Sequence, residues 1–552
     1  MRIVLVNWAR IADGASHGGG ANVYAQQLGL ELGALGHEVL WLHSGLTYIP
    51  DPATGRVGAS KVRRMEDFHG IRVFEVFNSP VLAPGPCQAR EPLGEISAPT
   101  LEAEVGRFFE LVQPDVVHFH NIEGFSCGCV DAARTARGRW GGAKVLFSLH
   151  NYHTVCPQVY LMKLGRTPCH DFGGGHDCER CMAEMRAPAE ERAHRASYHA
   201  VRVEPAKATP ALGERVAAVF SPPRPVVPPA IVFPGRPAEV FTDILEEERV
   251  AKAGVASASA ISPPVVDLTP LENVANPDPS FTPAADTEFA RRRRGMVEML
   301  NRCDRVLAVS NFVKAKFEAM GVDPRVIHTQ HIGTRMPDIA RANPESLTPP
   351  PPFANGRPVR AVFLGYNNYY KGLPMLADTL EQMDAALLSR LHLCVYAKAV
   401  EEIEERLTRL ESRLAGLSLR SGYSYEDIPR LLHNKDVGLV PSVWWDNGPQ
   451  TVMEFFACGM PVIAANLGGI PDIAIHEHNA LLHRGNDRAD LARILARVLL
   501  NPDLLFQLRR NVRPPKNMRD HAAEVERVYL ETLSTPQGRG ARERAPEPSA
   551  AH

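Results

Sequence analysis

The chain has 552 residues, 45% of them hydrophobic, and a formal net charge of −2. That length can bury two or more cores, and so balanced a charge leaves no electrostatic footprint for nucleic acid as a partner. No apolar run approaches the ~20 residues that cross a bilayer. The start reads straight into a strand without the charged region, apolar core and cleavage site of a secretion signal. The expectation is a cytoplasmic protein, at most peripheral to the inner face of a membrane.

In chain order, residues 3–6 read as a short buried strand, followed by a glycine-rich loop at 14–20, an amphipathic helix at 21–35 and a strand at 39–42. Glycine lets backbone approach a ligand closely, so Gly18, Gly19 and Gly20 are candidate contacts for a donor phosphate or an acceptor, with a flexible turn as the alternative. Residues 44–100 are rich in Pro, Gly and polar side chains around one strand at 71–77, and the loop at 79–99 is expected to frame an acceptor site. A helix at 101–111 leads to a strand at 115–121 that ends in His120 and Asn121. Polar tips of this kind face the cleft of an α/β sheet. His118, two residues back, reads as a core histidine. The strand at 145–149 ends in His150-Asn151-Tyr152-His153.

Seven of the ten cysteines lie between Cys87 and Cys181. Cys156, Cys169, Cys178 and Cys181, spaced C-x12-C-x8-C-x2-C, have the residue types and the closing C-x2-C hook of a structural zinc site. Reduced loop thiols and a redox pair are the other readings. Four thiolates leave no open position, so such a zinc would not be catalytic.

Residues 204–285 change character to Pro, Ala and Val, and read as a long insertion, largely irregular or disordered. The run Arg291 to Arg294 reads as a solvated helix face, with contact to anionic lipid as its other use. A helix at 286–302, a strand at 305–309 and a helix at 312–320 close the first domain. Residues 343–358, with four consecutive prolines from Pro349, read as a linker.

The second domain opens with a strand at 360–365, then Lys371-Gly372 and a helix. The densest stretch runs from Val437 to Asp472: a strand at 437–440, a turn at Asn447-Gly448-Pro449, a helix at 451–458 closed by Gly459, and a strand at 461–465. In such a βαβ unit the helix N-terminus favours an anion, so Gly448, Pro449, Gln450 and Thr451 read as a phosphate or sugar cradle. Asp446 and Glu454 frame it, and carboxylates accept hydrogen bonds from paired sugar hydroxyls. Helices at 491–500 and 521–533 follow, then a tail at 534–552 expected to be disordered.

Asp446 and Glu454, then Ala457-Cys458-Gly459-Met460-Pro461-Val462-Ile463 and Gly468-Gly469-Ile470-Pro471, resemble the signature of the family 4 retaining glycosyltransferases. The Gly loop, the strand-end His120, the His150 tip, the stretch Cys303 to Phe312 and Lys371-Gly372 extend the likeness over residues 1–185 and 286–533. The resemblance implies an α/β chain of GT-B architecture, two doubly wound Rossmann-like domains facing an interdomain cleft. The implied map is 1–203 with 286–342 for the first, acceptor domain, 359–515 for the nucleotide-sugar domain, and 516–533 for a closing helix.

It also implies roles. Glu454 holds a ribose, Asp446 the donor sugar and Lys371 the donor diphosphate beside Gly19, Gly20 and the 448–451 cradle. His150 stands beside the donor sugar, and His120 and Asn121 face the acceptor. Catalysis needs no metal; the donor is of UDP or GDP type and the acceptor a saccharide or lipid-linked. Three positions depart from the pattern: Asp446 is a methylene shorter than the usual glutamate, Asn151 replaces an aspartate, and Tyr366 replaces an arginine. A nucleotide-sugar epimerase and a non-catalytic nucleotide-sugar-binding protein are the other function classes. Conversion of free donor would reveal the first, and binding without turnover the second.

Overall fold

The computed structural model describes residues 1–14, 18–49, 57–138, 141–185, 249–252, 286–354, 356–366, 369–398 and 401–535. Among these, two sheets carry the architecture. The first runs in the order Ile327–Thr329, Arg305–Ala308, Lys144–Leu149, Val116–Phe119, Arg2–Val6, Glu38–Ser44, Arg72–Phe77, Lys61–Arg64. All its pairings are parallel except the last, where Lys61–Arg64 runs antiparallel along the edge. The second runs Arg249–Lys252, Gly416–Arg420, Leu391–Lys398, Val359–Tyr366, Val437–Val440, Val462–Asn466, Ala480–Arg484, again parallel save for its first member. Central strands such as VLFSL at 145–149 and VGLV at 437–440 are buried and almost wholly apolar, because parallel strands are covered by helices on both faces; the one polar side chain, Ser148, is hydrogen-bonded to His118.

This is the GT-B architecture expected from the resemblance, two doubly wound sheets with helices on both faces. In each sheet the strand order reverses beside the first strand of its domain, Arg2–Val6 or Val359–Tyr366, and such switch points are where open α/β sheets hold ligands. The closing helix Met518–Ser534 follows the second domain in sequence yet packs on the first. Tyr24 Oη lies 2.6 Å from His521 Nε2 and Tyr529 Oη 2.7 Å from His118 Nδ1. His118 is wholly buried between Tyr529 and Ser148, as a core histidine should be.

Within the segment 204–285, Arg249–Lys252 add an antiparallel strand to the edge of the second sheet, and the remainder lies outside the described residues, as does the tail beyond 535. One sequence expectation changes: the four-arginine run is not a solvated face. In the helix Glu288–Arg302 each residue turns about 100°, so four in a row sweep most of the circumference and some must point inward. Arg292 is 1% exposed and Arg293 8%.

Arg292 inserts beside Glu95, which is 2% exposed and accepts from it, while His153 Nε2 stands 2.6 Å from the other oxygen of the same carboxylate. Burial alone would raise the Glu95 pKa, but the guanidinium and His153 outweigh it and hold the group down at about 2. Arg292 also donates to the His153 carbonyl at 2.9 Å, so it ties the loop after His150 to the helix behind. Arg292→Met is expected to cost about 3–5 kcal/mol of unfolding free energy, because it strands a buried carboxylate. Urea unfolding of the pair of proteins at pH 7 checks this, and a loss below 1 kcal/mol would contradict the buried-pair account.

Candidate active site

The two acids of the dense stretch occupy the places that the βαβ unit gives them. Asp446 lies in the loop after Val437–Val440, and Glu454 lies on the helix Gln450–Ala457, which precedes Val462–Asn466. Gly468 closes the loop from behind with a positive φ of 60°, and a Cβ there would stand 2.3 Å from the Asp446 carbonyl oxygen. Val452 and Met453 both donate to the Pro449 carbonyl, so the amides of Gln450 and Thr451 stand at the open start of the helix. The cradle inferred from Gly448, Pro449, Gln450 and Thr451 is thus a helix N-terminus pointing out of the second sheet.

Asp446 is 4% exposed and pairs with Lys371, whose Nζ is 3.0 Å from Oδ2. Glu454 is 8% exposed and makes no hydrogen bond with the described residues. Burial pushes its pKa up to about 7, and the charge of Lys371 only partly opposes this. Glu454 in turn raises the pKa of Tyr425, after burial as the larger cause, which places the phenol and the carboxyl together. Lys371 is presented by the turn before the helix Leu373–Gln382. That turn depends on Gly372, whose φ is 80° and whose added Cβ would meet the Pro441 carbonyl oxygen at 1.8 Å. Gly372→Ala is expected to cost at least 2 kcal/mol (roughly, from strain and displaced backbone) and to loosen Lys371 from Asp446. A thermal unfolding midpoint equal to that of the parent would contradict it.

The first domain meets this loop directly. The Asn447 side chain donates to the His150 carbonyl at 2.8 Å, and Gln450 Nε2 donates to the Gly20 carbonyl at 3.2 Å. A Cβ on Gly20 would lie 2.5 Å from Gln450 Oε1 and would displace that amide. Gly19 begins the helix Gly19–Ala34 one residue earlier, after Gly18. Tyr152 Oη donates to the Trp445 carbonyl at 3.0 Å, and Gly448 sits against Val309 and Ile332. His150, Gly20, Lys371, Asp446 and the 448–451 cradle are therefore one neighbourhood built from both domains.

His150 Nε2 lies 3.1 Å from His120 Nδ1, and the Tyr24 ring lies 4.7 Å from that of His150. Burial lowers the His150 pKa to about 3 and that of His120 well below its ordinary value, with the neighbouring histidines adding to the effect on His120. Both rings are therefore neutral at pH 7, and His150 is an uncharged hydrogen-bonding group. His120 Nε2 is buried with no partner. Asn121 is occupied: Nδ2 donates to Glu123 Oε1 at 2.8 Å and Oδ1 accepts from the Glu123 amide at 2.7 Å. It faces Glu123 in this arrangement.

Glu123, Tyr425, Tyr24 and His521 escaped the sequence reading. Glu123 carried a findable signal, an acid three residues past a polar strand tip, whereas the others are brought in by packing from distant segments. The four cysteines do converge: Cys156, Cys169, Cys178 and Cys181 line one cavity of about 20 Å³ together with Arg293 and Lys163. Their donor chemistry suits zinc. As they stand, no three His, Cys, Asp or Glu side chains among the described residues form a metal-holding group. Cys181 Sγ accepts instead from the Leu164 amide at 3.2 Å, and the Cys169 thiol donates to the Asp171 carbonyl at 3.3 Å. The side chain of Tyr366, at the position of the missing arginine, lies outside what is described.

Residues 349–514, which hold Lys371, Asp446 and Glu454, match the family model of the glycosyl transferases group 1. The second domain is a group 1 glycosyltransferase domain. The group 1 match stops short of the first domain. D-inositol 3-phosphate glycosyltransferase of Saccharomonospora viridis is 34% identical over 116 residues, 21% of this chain and 24% of that protein. The chain thus spans about a quarter of the length of that relative. Whole-chain likeness appears in solved structures and supports the GT-B fold. Sucrose-phosphate synthase from Thermosynechococcus elongatus superposes with a TM-score of 0.52 at 14% identity, over 96% of this chain and 98% of that one. HepE from Anabaena in complex with UDP superposes with a TM-score of 0.50 at 13% identity, over 96% and 100%.

Proposed function

We propose that the protein is a retaining glycosyltransferase that moves a sugar from a nucleoside-diphosphate sugar of UDP or GDP type to a hydroxyl of a saccharide or lipid-linked acceptor. The product class is a polysaccharide, glycolipid or glycoconjugate, and the setting is the cytoplasm or the inner face of a membrane. Among the described residues no helix is long and apolar enough to cross a membrane. The observation that carries the reading is the paired Lys371 and Asp446 beside a buried Glu454 without a hydrogen bond among the described residues, on a group 1 domain whose Asn447 and Gln450 reach the backbone of His150 and Gly20.

In this scheme Glu454 accepts from the ribose hydroxyls and Asp446 from the sugar. The bond between the anomeric carbon and the diphosphate oxygen breaks while the acceptor oxygen approaches the same face, and the acceptor proton passes to the departing oxygen. Negative charge grows on the diphosphate, so the barrier falls mainly through charge stabilisation. Lys371 and the amides of Gln450 and Thr451 supply it. His150, neutral, offers a hydrogen bond to the sugar without competing for the diphosphate. Transfer uses no metal here, and structural zinc at the four cysteines is a separate proposal that a metal assay of the purified protein decides.

Calorimetric titration with UDP, GDP and their sugar conjugates tests the donor assignment; HepE, of the same fold, holds UDP. Saturable binding of one nucleotide supports it, followed by proton NMR of a transfer product whose anomeric configuration matches the donor. Absence of binding by every nucleotide removes the reading, and binding with no turnover across acceptor panels favours a non-catalytic receptor.

A further inference from the structure

The tip of the strand Val116–Phe119 carries a buried acid with no cation among the described residues within hydrogen-bonding reach. Glu123 is 2% exposed. Its Oε1 accepts from Asn121 Nδ2 at 2.8 Å and from Asn151 Nδ2 at 3.3 Å, and its Oε2 accepts from the Gly85 amide. A buried carboxylate without a counter-ion is costly unless hydrogen-bond donors meet its oxygens, and here three N–H groups from three segments do so, two on Oε1 and one on Oε2. The Asn151 amide also works from its other end, where Oδ1 accepts from the His153 amide at 2.9 Å and fixes the turn after His150. One side chain therefore joins Glu123 to the loop that presents His150.

This arrangement accounts for the asparagine at 151, where the resemblance leads one to expect aspartate. An aspartate in that place would set a carboxylate oxygen about 3.3 Å from Glu123 Oε1, the present Nδ2 distance. Two carboxylates so close, one of them buried, repel one another strongly when both are ionised. The charged groups around the pair do not remedy this. Arg292 is committed to Glu95, and His153 reaches Glu95 through Nε2 while its Nδ1 has no partner and lies against Gly85. His150, on the other side, is engaged with His120.

We propose that Glu123 is a positioning residue of the active site, which holds the His150 loop through the amide of Asn151 and requires a neutral, N–H-donating side chain at that position. The inference rests on the glycosyltransferase reading for its catalytic consequence. At the level of structure it rests on the hydrogen bonds alone.

Asn151→Asp, Glu123→Gln and the double variant test it with the full chain, each followed by nucleotide titration, steady-state transfer and thermal unfolding from pH 5.5 to pH 8. With Asn151→Asp, kcat at pH 8 is expected to fall roughly 100-fold, about two pKa units of like-charge repulsion. It should recover as the pH drops and one shared proton lets either carboxyl donate to the other. Nucleotide affinity should stay within a few-fold, since neither residue belongs to the donor cradle. The double variant, which again pairs a carboxylate with an amide, should regain most of the loss at pH 8 and lose the pH dependence. A pH profile of Asn151→Asp parallel to that of the parent overturns the proposal, as does a double variant no better than the worse single one. If Asn151→Asp does not stay folded at pH 8, its unfolding midpoint decides: a rise on acidification that the double variant lacks supports the pairing, and a midpoint indifferent to pH overturns it. Failure of the parent to bind any nucleotide would instead remove the functional reading and leave the unfolding results to judge the pair.

Discussion

Glu454→Gln is expected to make the ligand-free protein more stable at pH 8 while weakening donor binding about 10- to 100-fold, the value of one or two hydrogen bonds to a charged group. The sign follows from linkage. A buried carboxyl with its pKa raised from 4.5 to about 7 holds its proton more tightly in the folded chain than in the unfolded one. Stability therefore declines as pH rises from 4.5 to 7 and stays reduced above, by up to about 3 kcal/mol for 2.5 pKa units. Glutamine removes the ionisation and with it that penalty. It keeps one acceptor oxygen but replaces the other with a donor, which a ribose diol cannot use in the same way.

The same shift gives the parent a pH signature. Binding of a ligand that donates two hydroxyls favours the ionised form, so nucleotide affinity should rise as pH increases through 7, and the rise should vanish in the glutamine variant. Thermal unfolding and titration at pH 5.5 and pH 8 check both halves. A glutamine variant that binds nucleotide as the parent does would detach Glu454 from the donor site.

Lys371→Met is the second large effect, and here stability and activity should separate on a second substitution. Removing the ammonium leaves Asp446 buried without its partner at 3.0 Å, at an expected cost of about 3–5 kcal/mol. It also takes a cation from the diphosphate, for an expected loss of about 10²–10³ in kcat. Adding Asp446→Asn to Lys371→Met neutralises the stranded carboxylate and should restore most of the lost unfolding free energy. Transfer should stay low, because nothing replaces the charge on the leaving group. Urea unfolding and steady-state transfer of both variants provide the check. Recovery of activity together with stability would show that Lys371 serves only to hold Asp446.

The two Rossmann-like layers were legible because parallel strands buried on both faces must be largely apolar, as at 145–149 and 437–440. The helix N-terminus at 448–451 was legible because Asn-Gly-Pro cannot continue a strand. The short edge strand Lys61–Arg64 and the helices Cys127–Thr135 and His176–Met185 were not, since their pattern is weak or broken by polar residues and only neighbours fix them. The arginine run was misjudged for the converse reason. Charge in a row suggests water, but burial of Arg292 is set by Glu95 and His153, which lie 197 and 139 positions away in the chain.

By itself, then, the sequence determined the two parallel sheets, the acid pair on its βαβ unit and the histidine at the tip of a first-domain strand. Each follows from local periodicity or from residues within one unit of structure. Only the tertiary structure decided which of these groups meet: that Lys371 closes on Asp446, that Asn447 takes the His150 carbonyl, and that Glu454 is buried deeply enough to hold its proton near neutrality. It also decided that the four cysteines, spread over 26 positions of chain, share one cavity. Hydrogen bonds and desolvation act through space over a few ångströms, and separation along the chain carries no record of them.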